Sequence, residues 1–368
     1  MKIGLAIYNF NPRKGGAERY AYDLATRLAK RGHEVCVFCG QGMETKGIKL
    51  IKLNTVPFPR WLRTFSFAFK HRACMRTTRP DVMLGFGNTF EADVYQSHGG
   101  VQRIWMEREI ASYEDPKERR YKAFLLRNSI NQRIQEWIAE YPVRTKRCSR
   151  IVAISDMLKT HMAGHFNIKP DSIDVVYNGV DTQRFAPAGA RPDGPLRILF
   201  CAGNFRLKGL LPLLLAAGEV SKERSDFQLL IMGRGRKERY EQVIRELNIG
   251  NCVNFLGEQA HPEAVYRGAH ILVHPTFYDA CSLTTMEAMA SGLPVITTRW
   301  NGASALVLEQ EGYVIDEPFN IADMVTAIKV LFNKDFRDSM GKKARIKLES
   351  YTMDQNAATM EKILLEAG

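Results

Sequence analysis

Short apolar stretches alternate with helix-patterned stretches along nearly the whole chain, and that alternation limits the fold more than any other feature. KIGLAIY reads as a strand, NFNPRKGG as a turn, and AERYAYDLATRLAKRG as a helix with Tyr20, Leu24 and Leu28 on one face and Gly32 as its stop. EVCVFCG, DVMLGFG, RIVAIS and IDVVYNG continue as short strands. After a gap rich in proline and glycine, PAGARPDGP (187–195), a second series follows: LRILFCAG, FQLLIMG, CVNFLGE, ILVHPT, PVITT and GYVID. Strands that alternate with helices are joined by crossovers, which give parallel sheets covered on both faces. The expected class is therefore α/β, with two doubly wound Rossmann-like domains. The length of 368 residues suits two such domains better than one core. The expected boundaries are 1–186, 187–352 and a last helix, 353–368, that returns to the first domain.

The formal net charge of +12 calls for a partner of opposite sign. Residues 60–79 (RWLRTFSFAFKHRACMRTTR) hold six Arg or Lys and no acid, interleaved with Trp61, Phe65, Phe67 and Phe69. Residues 101–150 hold twelve basic and seven acidic residues, so both excesses fall in the first half. One domain is thus expected to face something anionic. No nucleic-acid reading module accompanies the charge, so nucleic acid is not an expected partner. The segment YEDPKERRYKAFLLRNSINQRIQEWIAEY is expected to form a helix, with Asp115 as N-cap, Pro116 at its first position and Glu118 closing a capping box. Ala123, Ile130, Ile134, Trp137 and Tyr141 fall on one stripe of it. The loop before it, VQRIWMERE, offers Trp105 and Met106 to a lipid or an acceptor.

Other classes are excluded by what is missing. The seven cysteines are scattered and odd in number, which suits reduced thiols in the cytoplasm. Cys36 and Cys39 form a C-x-x-C, but within the strand pattern VCVFCG. The N-terminus does not resemble a signal peptide, and no run of 18 apolar residues exists to span a membrane. His33, His71, His161, His165, His261 and His270 show no ligand spacing and read as surface or packing residues.

In doubly wound sheets ligands bind in the loops beyond the carboxyl ends of the strands. The first such loop ends in Gly15 and Gly16, ahead of a helix whose unpaired N–H groups and positive dipole end suit a phosphate; a simple turn is the alternative. In the second, CAGNFRLKGL, Arg206 can fork onto two oxygens while Lys208 acts as a point charge, which suits a diphosphate; a solvated basic loop is the alternative. The third, IMGRGRKE, has Gly233 and Gly235 but Glu238 where a dinucleotide fingerprint needs its third glycine, which disfavours a dehydrogenase. The fourth, FYDACSLTTMEAMASGLPVITT, spaces Asp279 and Glu287 eight residues apart, one in a loop and one two turns into a helix. Backbone N–H groups at Ser282, Leu283 and Thr284 can meet phosphate oxygens there. Each carboxylate can accept paired hydrogen bonds from neighbouring hydroxyls, so the spacing fits the two sugars of a nucleotide sugar.

Asp279-x7-Glu287 followed by AMASGLPVITT resembles the E-x7-E signature of the family 4 retaining glycosyltransferases, which have the GT-B fold. The resemblance runs over nearly the full chain: the Gly-Gly turn with Glu18, ADVYQSHGG, IVAISDMLK, VVYNGVDTQRF, the Lys208-Gly209 pair, VNFLG and LVHPT follow in the family's order. Within the family, FYDACSLTTMEAMASGLPV and NFRLKG are similar to the lipopolysaccharide core glucosyltransferases. The resemblance implies two Rossmann-like domains facing each other across a cleft. It implies that Gly15 and Gly16 approach the donor phosphates, that His98 lies at the transferred sugar, and that Lys208 with Arg206 neutralises the leaving diphosphate. Asp279 would hold the sugar hydroxyls, Glu287 the ribose, Ser282 to Thr284 the phosphates, and the loop after Gly233 with VNFLG the base. The family usually places Glu where Asp279 stands, and Leu207 separates Arg206 from Lys208 where the glucosyltransferase pattern has them adjacent.

The implied reaction moves glucose from UDP-glucose to an inner-core heptose or similar glycolipid, with UDP-GlcNAc or a GDP-sugar as alternative donors. No D-x-D pair exists to hold a metal, so neither metal nor cofactor is expected beyond the UDP-sugar substrate. A monomer is expected, cytoplasmic and peripheral to the inner face of the membrane, with the basic first domain toward the anionic surface. A sugar-nucleotide epimerase or a glycogen-type phosphorylase would share the architecture.

Overall fold

The structure, a computed structural model, describes residues 1–187, 189, 191 and 193–368. Positions 188, 190 and 192 of the expected 187–195 gap lie outside the described residues. The described residues form two compact units. Met1–Glu107, Asp115–Gly179 and Met353–Gly368 make the first, Arg108–Glu114 and Val180–Thr352 the second. The division falls after Gly179 and not after residue 186. Val180 already donates to the Tyr351 carbonyl at 2.9 Å, and Phe185 is buried edge-on against Tyr266, with centroids 5.4 Å apart.

In chain order the first unit contains β1 (Lys2–Ala6), β2 (Asn9–Phe10), β3 (Glu34–Cys39), β4 (Gln41–Gly42), β5 (Ile48–Lys52), β6 (Val82–Gly85), β7 (Val94–Ser97), β8 (Arg150–Ala153) and β9 (Ile173–Val175). β2 pairs with β4. Among the described residues the others form one parallel sheet, ordered β5-β3-β1-β6-β7-β8-β9. The helix Gly16–Lys30 buries Tyr20, Leu24 and Leu28 as its spacing requires, and Gly32 ends it at φ +92°. The C-terminal helix Met353–Ala367 returns to this unit: Met360, Ile363 and Leu364 join the cluster of Leu24, Leu28 and Leu84. Glu361 ties it to Arg31 and His33 at 2.6 Å each. Cys36 and Cys39 are buried in β3, and burial pushes each thiol up to about 11, which fits packing.

The basic segment from residue 60 is a helix, Arg60–Cys74, in which Phe67 is core and Phe69 exposed. Two expectations for this unit need correction. The long helix after Asp115 is two, Pro116–Arg127 and Ile130–Arg144. Asp115 does cap the first, accepting from Lys117 N at 2.7 Å, but Ser129 starts a second helix by accepting from Gln132 N at 3.3 Å. The expected stripe is therefore broken: Ile130 is exposed, and Ile138 is the fully buried residue. The expected loop with Trp105 and Met106 is the helix Gln102–Ala111, where both side chains are half-buried.

The second unit contains β10 (Leu196–Ala202), β11 (Phe227–Gly233), β12 (Val253–Gly257), β13 (Ile271–His274), β14 (Val295–Thr298) and β15 (Gly312–Ile315). Each expected strand of this half is present, all parallel, in the order β12-β11-β10-β13-β14-β15. This is the doubly wound order, whose direction reverses between β10 and β13. The core lies between the sheet and its helices, with Ile198, Phe200, Leu213, Leu214, Leu229 and Ile231 at its centre. Inner strands such as β13 and β14, buried at every residue, read as continuous apolar runs.

Candidate active site

The reversal between β10 and β13 puts the loops leaving these two strands side by side. They are knit by backbone contacts: Phe277 N donates to the Leu207 carbonyl at 2.9 Å, and Thr276 Oγ1 donates to the same oxygen at 3.2 Å. Gly209 has φ +85°, and a Cβ there would lie 2.0 Å from the Pro275 carbonyl oxygen. Only glycine allows that approach. The knit brings Lys208 to Asp279, Nζ to Oδ2 at 2.6 Å, while Nζ also donates to the Tyr278 carbonyl at 2.9 Å.

Leu207 is buried between the two cations, and they serve different partners. Arg206 Nη2 lies 3.0 Å from Glu109 Oε1, with its guanidinium 3.7 Å above the Tyr113 ring. Arg206 and Lys208 thus stand on one loop but do not converge on one carboxylate.

Asp279 is held by its backbone as well. Its N–H donates to the Trp300 carbonyl at 2.9 Å, and its carbonyl accepts from Gly302 N at 2.7 Å, fixing the loop to the residues after β14. Burial alone would raise the Asp279 carboxyl. Lys208 and His274, whose Nε2 is 3.8 Å away, outweigh it and hold the carboxyl well below the usual carboxylate range. His274 itself is buried, and burial lowers its pKa below the ordinary histidine value.

The helix Leu283–Ala290 follows Asp279, capped by Ser282, whose Oγ accepts from Thr285 N at 3.2 Å. Ser282 N donates to Asn301 Oδ1 at 3.3 Å, so this residue's amide and hydroxyl are committed to the turn itself. Leu283 and Thr284 are half-buried at the helix start, where its dipole is positive. Glu287, also half-buried, accepts from Tyr266 Oη at 3.1 Å. Gly233 closes β11 at φ +134°, where a Cβ would lie 1.8 Å from the Ala202 carbonyl oxygen.

In the first unit Gly15 caps the helix Gly16–Lys30, and the Glu18 carboxylate folds over it: a Cβ on Gly15 would meet Glu18 Oε2 at 2.6 Å. Tyr20 of the same helix stacks on His98, centroids 4.4 Å apart, and Phe86 closes the other side at 5.4 Å. The structure therefore joins the Gly15–Gly16 turn to His98 through Tyr20. The buried Nε2 of His98 has no hydrogen-bond partner among the described residues, and burial lowers its pKa to about 3, leaving a neutral imidazole.

Several residues that hold the site had no motif. Fully buried Asn301 binds Thr285 Oγ1 at 2.8 Å and Thr297 Oγ1 at 3.0 Å besides the Ser282 amide. It follows the carboxyl end of β14, so the strand-end rule applied to that loop would have found it. Arg108 lies 3.7 Å over Trp300 and donates to the Phe277 carbonyl at 3.0 Å and to Glu317 at 2.7 Å. Away from the site, His165, expected as a surface or packing residue, lies 2.5 Å from Glu140, which also pairs with Arg144.

Two Rossmann-like units, with a lysine–carboxylate pair at the strand-order reversal of the second, have the GT-B form. Residues 14–184 match the family model described as Glycosyltransferase Family 4, and residues 181–347 the one described as Glycosyl transferases group 1. The chain belongs to the family 4 glycosyltransferases. It is 27% identical over 240 residues to a D-inositol 3-phosphate glycosyltransferase of Corynebacterium kroppenstedtii, covering 59% of this chain and 53% of that protein. The chain spans about half the length of this and the other inositol-phosphate transferases it matches. Among solved structures it is similar to WaaG, a glycosyltransferase involved in lipopolysaccharide biosynthesis, with TM-score 0.81 and 19% identity over 98% of this chain and 99% of that one. It is also similar to Anabaena HepE in complex with UDP-glucose, with TM-score 0.71 and 16% identity over the full length of both. At these identities the likeness is one of fold. No helix among the described residues is long and apolar enough to cross a membrane.

Proposed function

We propose that this chain is a retaining glycosyltransferase that moves glucose from UDP-glucose to a hydroxyl of a lipopolysaccharide inner-core heptose or similar glycolipid, without a metal. The observation that carries the reading is the Lys208–Asp279 pair at the β10/β13 reversal, where a doubly wound sheet receives its ligand. The similarity to the HepE fold supports the donor class, since that protein is recorded with UDP-glucose.

In the reaction the C1–oxygen bond to the donor's β-phosphate breaks and a C1–oxygen bond to the acceptor hydroxyl forms on the same face. The departing phosphate oxygen takes the acceptor's proton. Negative charge grows on the diphosphate as the sugar becomes oxocarbenium-like, so the useful contribution is a fixed cation and fixed dipoles. Lys208 supplies the cation, with Arg206 beside it in the loop, and the helix start at Leu283 and Thr284 supplies N–H groups, with Ser282 shaping the turn. Asp279 accepts from the sugar hydroxyls, Glu287 holds the ribose, and the loop after Gly233 takes the base. Gly15 and Gly16 serve the donor phosphates. His98, neutral, serves the transferred sugar as a hydrogen-bond partner.

The acceptor reading rests on the first unit. Tyr121, Phe124 and Ile130 are exposed, beside Arg120, Arg127 and Arg133. Apolar rings among cations suit the inner, anionic face of a cytoplasmic membrane, where each Lys or Arg adds about 1 kcal/mol.

The test is nucleotide release in EDTA from UDP-glucose, UDP-GlcNAc and GDP-sugars, with and without rough inner-core lipopolysaccharide. Acceptor-stimulated release from UDP-glucose that fails in Lys208→Ala supports the reading. Release only with added metal, or turnover of donor without transfer, overturns it.

A further inference from the structure

Opposite the carboxyl ends of the second sheet lies a cavity of about 680 Å³ that the proposed transfer does not use. It opens at the amino-terminal side of the strands, beside Leu196, which begins β10, and His270, the residue before β13. One wall is the helix Lys334–Leu348, whose adjacent i,i+4 rows turn Arg337 and Arg345, and Asp338 and Lys342, toward it.

The charges of this cavity do not balance. Of its acids, Asp193 is paired with Lys334 at 3.0 Å and Asp226 with Arg224 at 2.6 Å. Arg345 is paired with Glu349 at 3.2 Å, which leaves Arg191, Arg337 and Lys342 against Asp338 alone, and Asp338 stands 4.0 Å from both Arg191 and Arg337, beyond hydrogen-bond reach. Arg337 is only 7% exposed. Its Nη1 donates to the Leu331 carbonyl at 3.0 Å, but its buried Nε has no acceptor among the described residues. A buried guanidinium N–H without an acceptor is costly and marks a place where one is wanted. Burial lowers the pKa of Arg191; Asp338 offsets part of that, and the nearby Arg337 adds to it. Phe332 and Ile346 give the cavity an apolar side, and its volume falls in the range of small-molecule sites, roughly 300–1,000 Å³.

We propose that this cavity binds a phosphate monoester of a small, sugar-sized molecule, the phosphate taken by Arg337, Arg191 and Lys342 and the carbon skeleton resting on Phe332. Guanidinium forks match phosphate oxygens in pairs, and Lys342, exposed at the rim, adds a mobile charge. Arg345 is engaged elsewhere, since its Nη1 donates to the carbonyls of Thr182, Phe185 and Ala290. Arg191 likewise spends Nη2 on the carbonyls of Ser291 and Gly292. The proposed ligand would therefore touch the side chain that holds the carboxyl end of the helix Leu283–Ala290, whose other end carries Ser282 to Thr284.

The probe is glucose 6-phosphate, titrated by calorimetry into the whole protein, with glucose as the control lacking phosphate. The expected result is saturable binding of the ester and none of glucose. Binding should weaken at least tenfold in Lys342→Glu, an exposed change that leaves the fold intact, and in Arg337→Lys. Lys208→Ala should bind the ester as the wild type does. Ester binding that survives Lys342→Glu, or that is lost in Lys208→Ala, overturns the proposal, the latter by assigning the phosphate to the β10/β13 loops. In a second arm, vesicles of phosphatidic acid that are retained through Lys342 while the soluble ester is not bound would assign the cations to a lipid headgroup and also overturn it. The result is independent of which donor is transferred.

Discussion

Lys208 Nζ lies 2.6 Å from Asp279 Oδ2, joining two loops that are remote in sequence and adjacent only because the sheet reverses its strand order between them. Both side chains are about four-fifths buried. Replacing Lys208 with Ala leaves the Asp279 carboxylate in place without its cation and removes the charge that would meet the leaving diphosphate. Turnover of UDP-glucose should fall by about 10²–10³, or ~2–4 kcal/mol of barrier, with a smaller change in donor binding. Steady-state kinetics against donor binding by calorimetry separates the two; equal losses in both would remove Lys208 from the chemical step.

The same pair sets an acid limit. The folded Asp279 carboxyl titrates well below its unfolded value, so it stabilises the fold fully above roughly pH 4. Below that the unfolded chain binds a proton that the folded chain does not, and stability falls by up to about 1.4 kcal/mol per pH unit. Asp279→Asn should be less stable at pH 7, and its deficit should shrink as the pH drops from 4 toward 3. Urea unfolding at both values measures this; a deficit independent of pH would mean the carboxylate is not held by charge.

His98 works in a higher window. Its folded pKa is lowered to about 3 from 6.5, so between those values the unfolded chain takes up a proton first and stability declines as pH falls. His98→Gln should flatten the decline between pH 7 and pH 5. By nuclear magnetic resonance, the His98 ring signals should stay unshifted from pH 8 to pH 5, and a midpoint near 6.5 would contradict the neutral imidazole.

Gly209→Ala tests how tightly the two loops are joined. The added methyl meets the Pro275 carbonyl at 2.0 Å and the backbone is left-handed, so a loss of roughly 2 kcal/mol or more is expected. Because Lys208 is its neighbour, turnover should drop with stability. Full activity in the variant would show that the loops can part without harm.

Membrane contact is tested at Phe124, 65% exposed on the helix Pro116–Arg127. Phe124→Glu should cut binding to phosphatidylglycerol vesicles about tenfold, from the lost apolar burial and the added repulsion. Cosedimentation at low and physiological salt gives the number, and unchanged binding would move the contact elsewhere.

The second sheet was fully legible because its strands are short, mostly apolar runs between turn residues; β13 and β14 are buried throughout, and the edge strands β12 and β15, though partly exposed, keep that composition. Two strands of the first were not. β5, IKLIK, carries Lys49 and Lys52 three residues apart at the sheet edge, which breaks the two-residue alternation, and β7, VYQS, buries a glutamine and a serine whose partners, such as Tyr20 for Gln96, come from distant segments. The site split the same way. Lys208, Asp279 and Glu287 lie on local strand–loop–helix patterns that the chain displays. Arg108 and Glu109 act through tertiary contacts that no local spacing encodes, whereas Asn301 lies in a strand-end loop that carries no motif of its own. The break at Asn128–Ser129 was missed because a serine inside a helical pattern reads as helix until its hydroxyl is seen accepting from Gln132 N.

The return of Met353–Ala367 to the first sheet imposes an order on synthesis. When the ribosome has made everything up to Thr352, the second unit has its whole sequence, but the first still exposes Leu24 and Leu28 where Met360 and Leu364 belong. The half that begins first is completed last, so a nascent chain stalled short of residue 353 has the whole sequence of one unit while the other still lacks the helix that covers its apolar face.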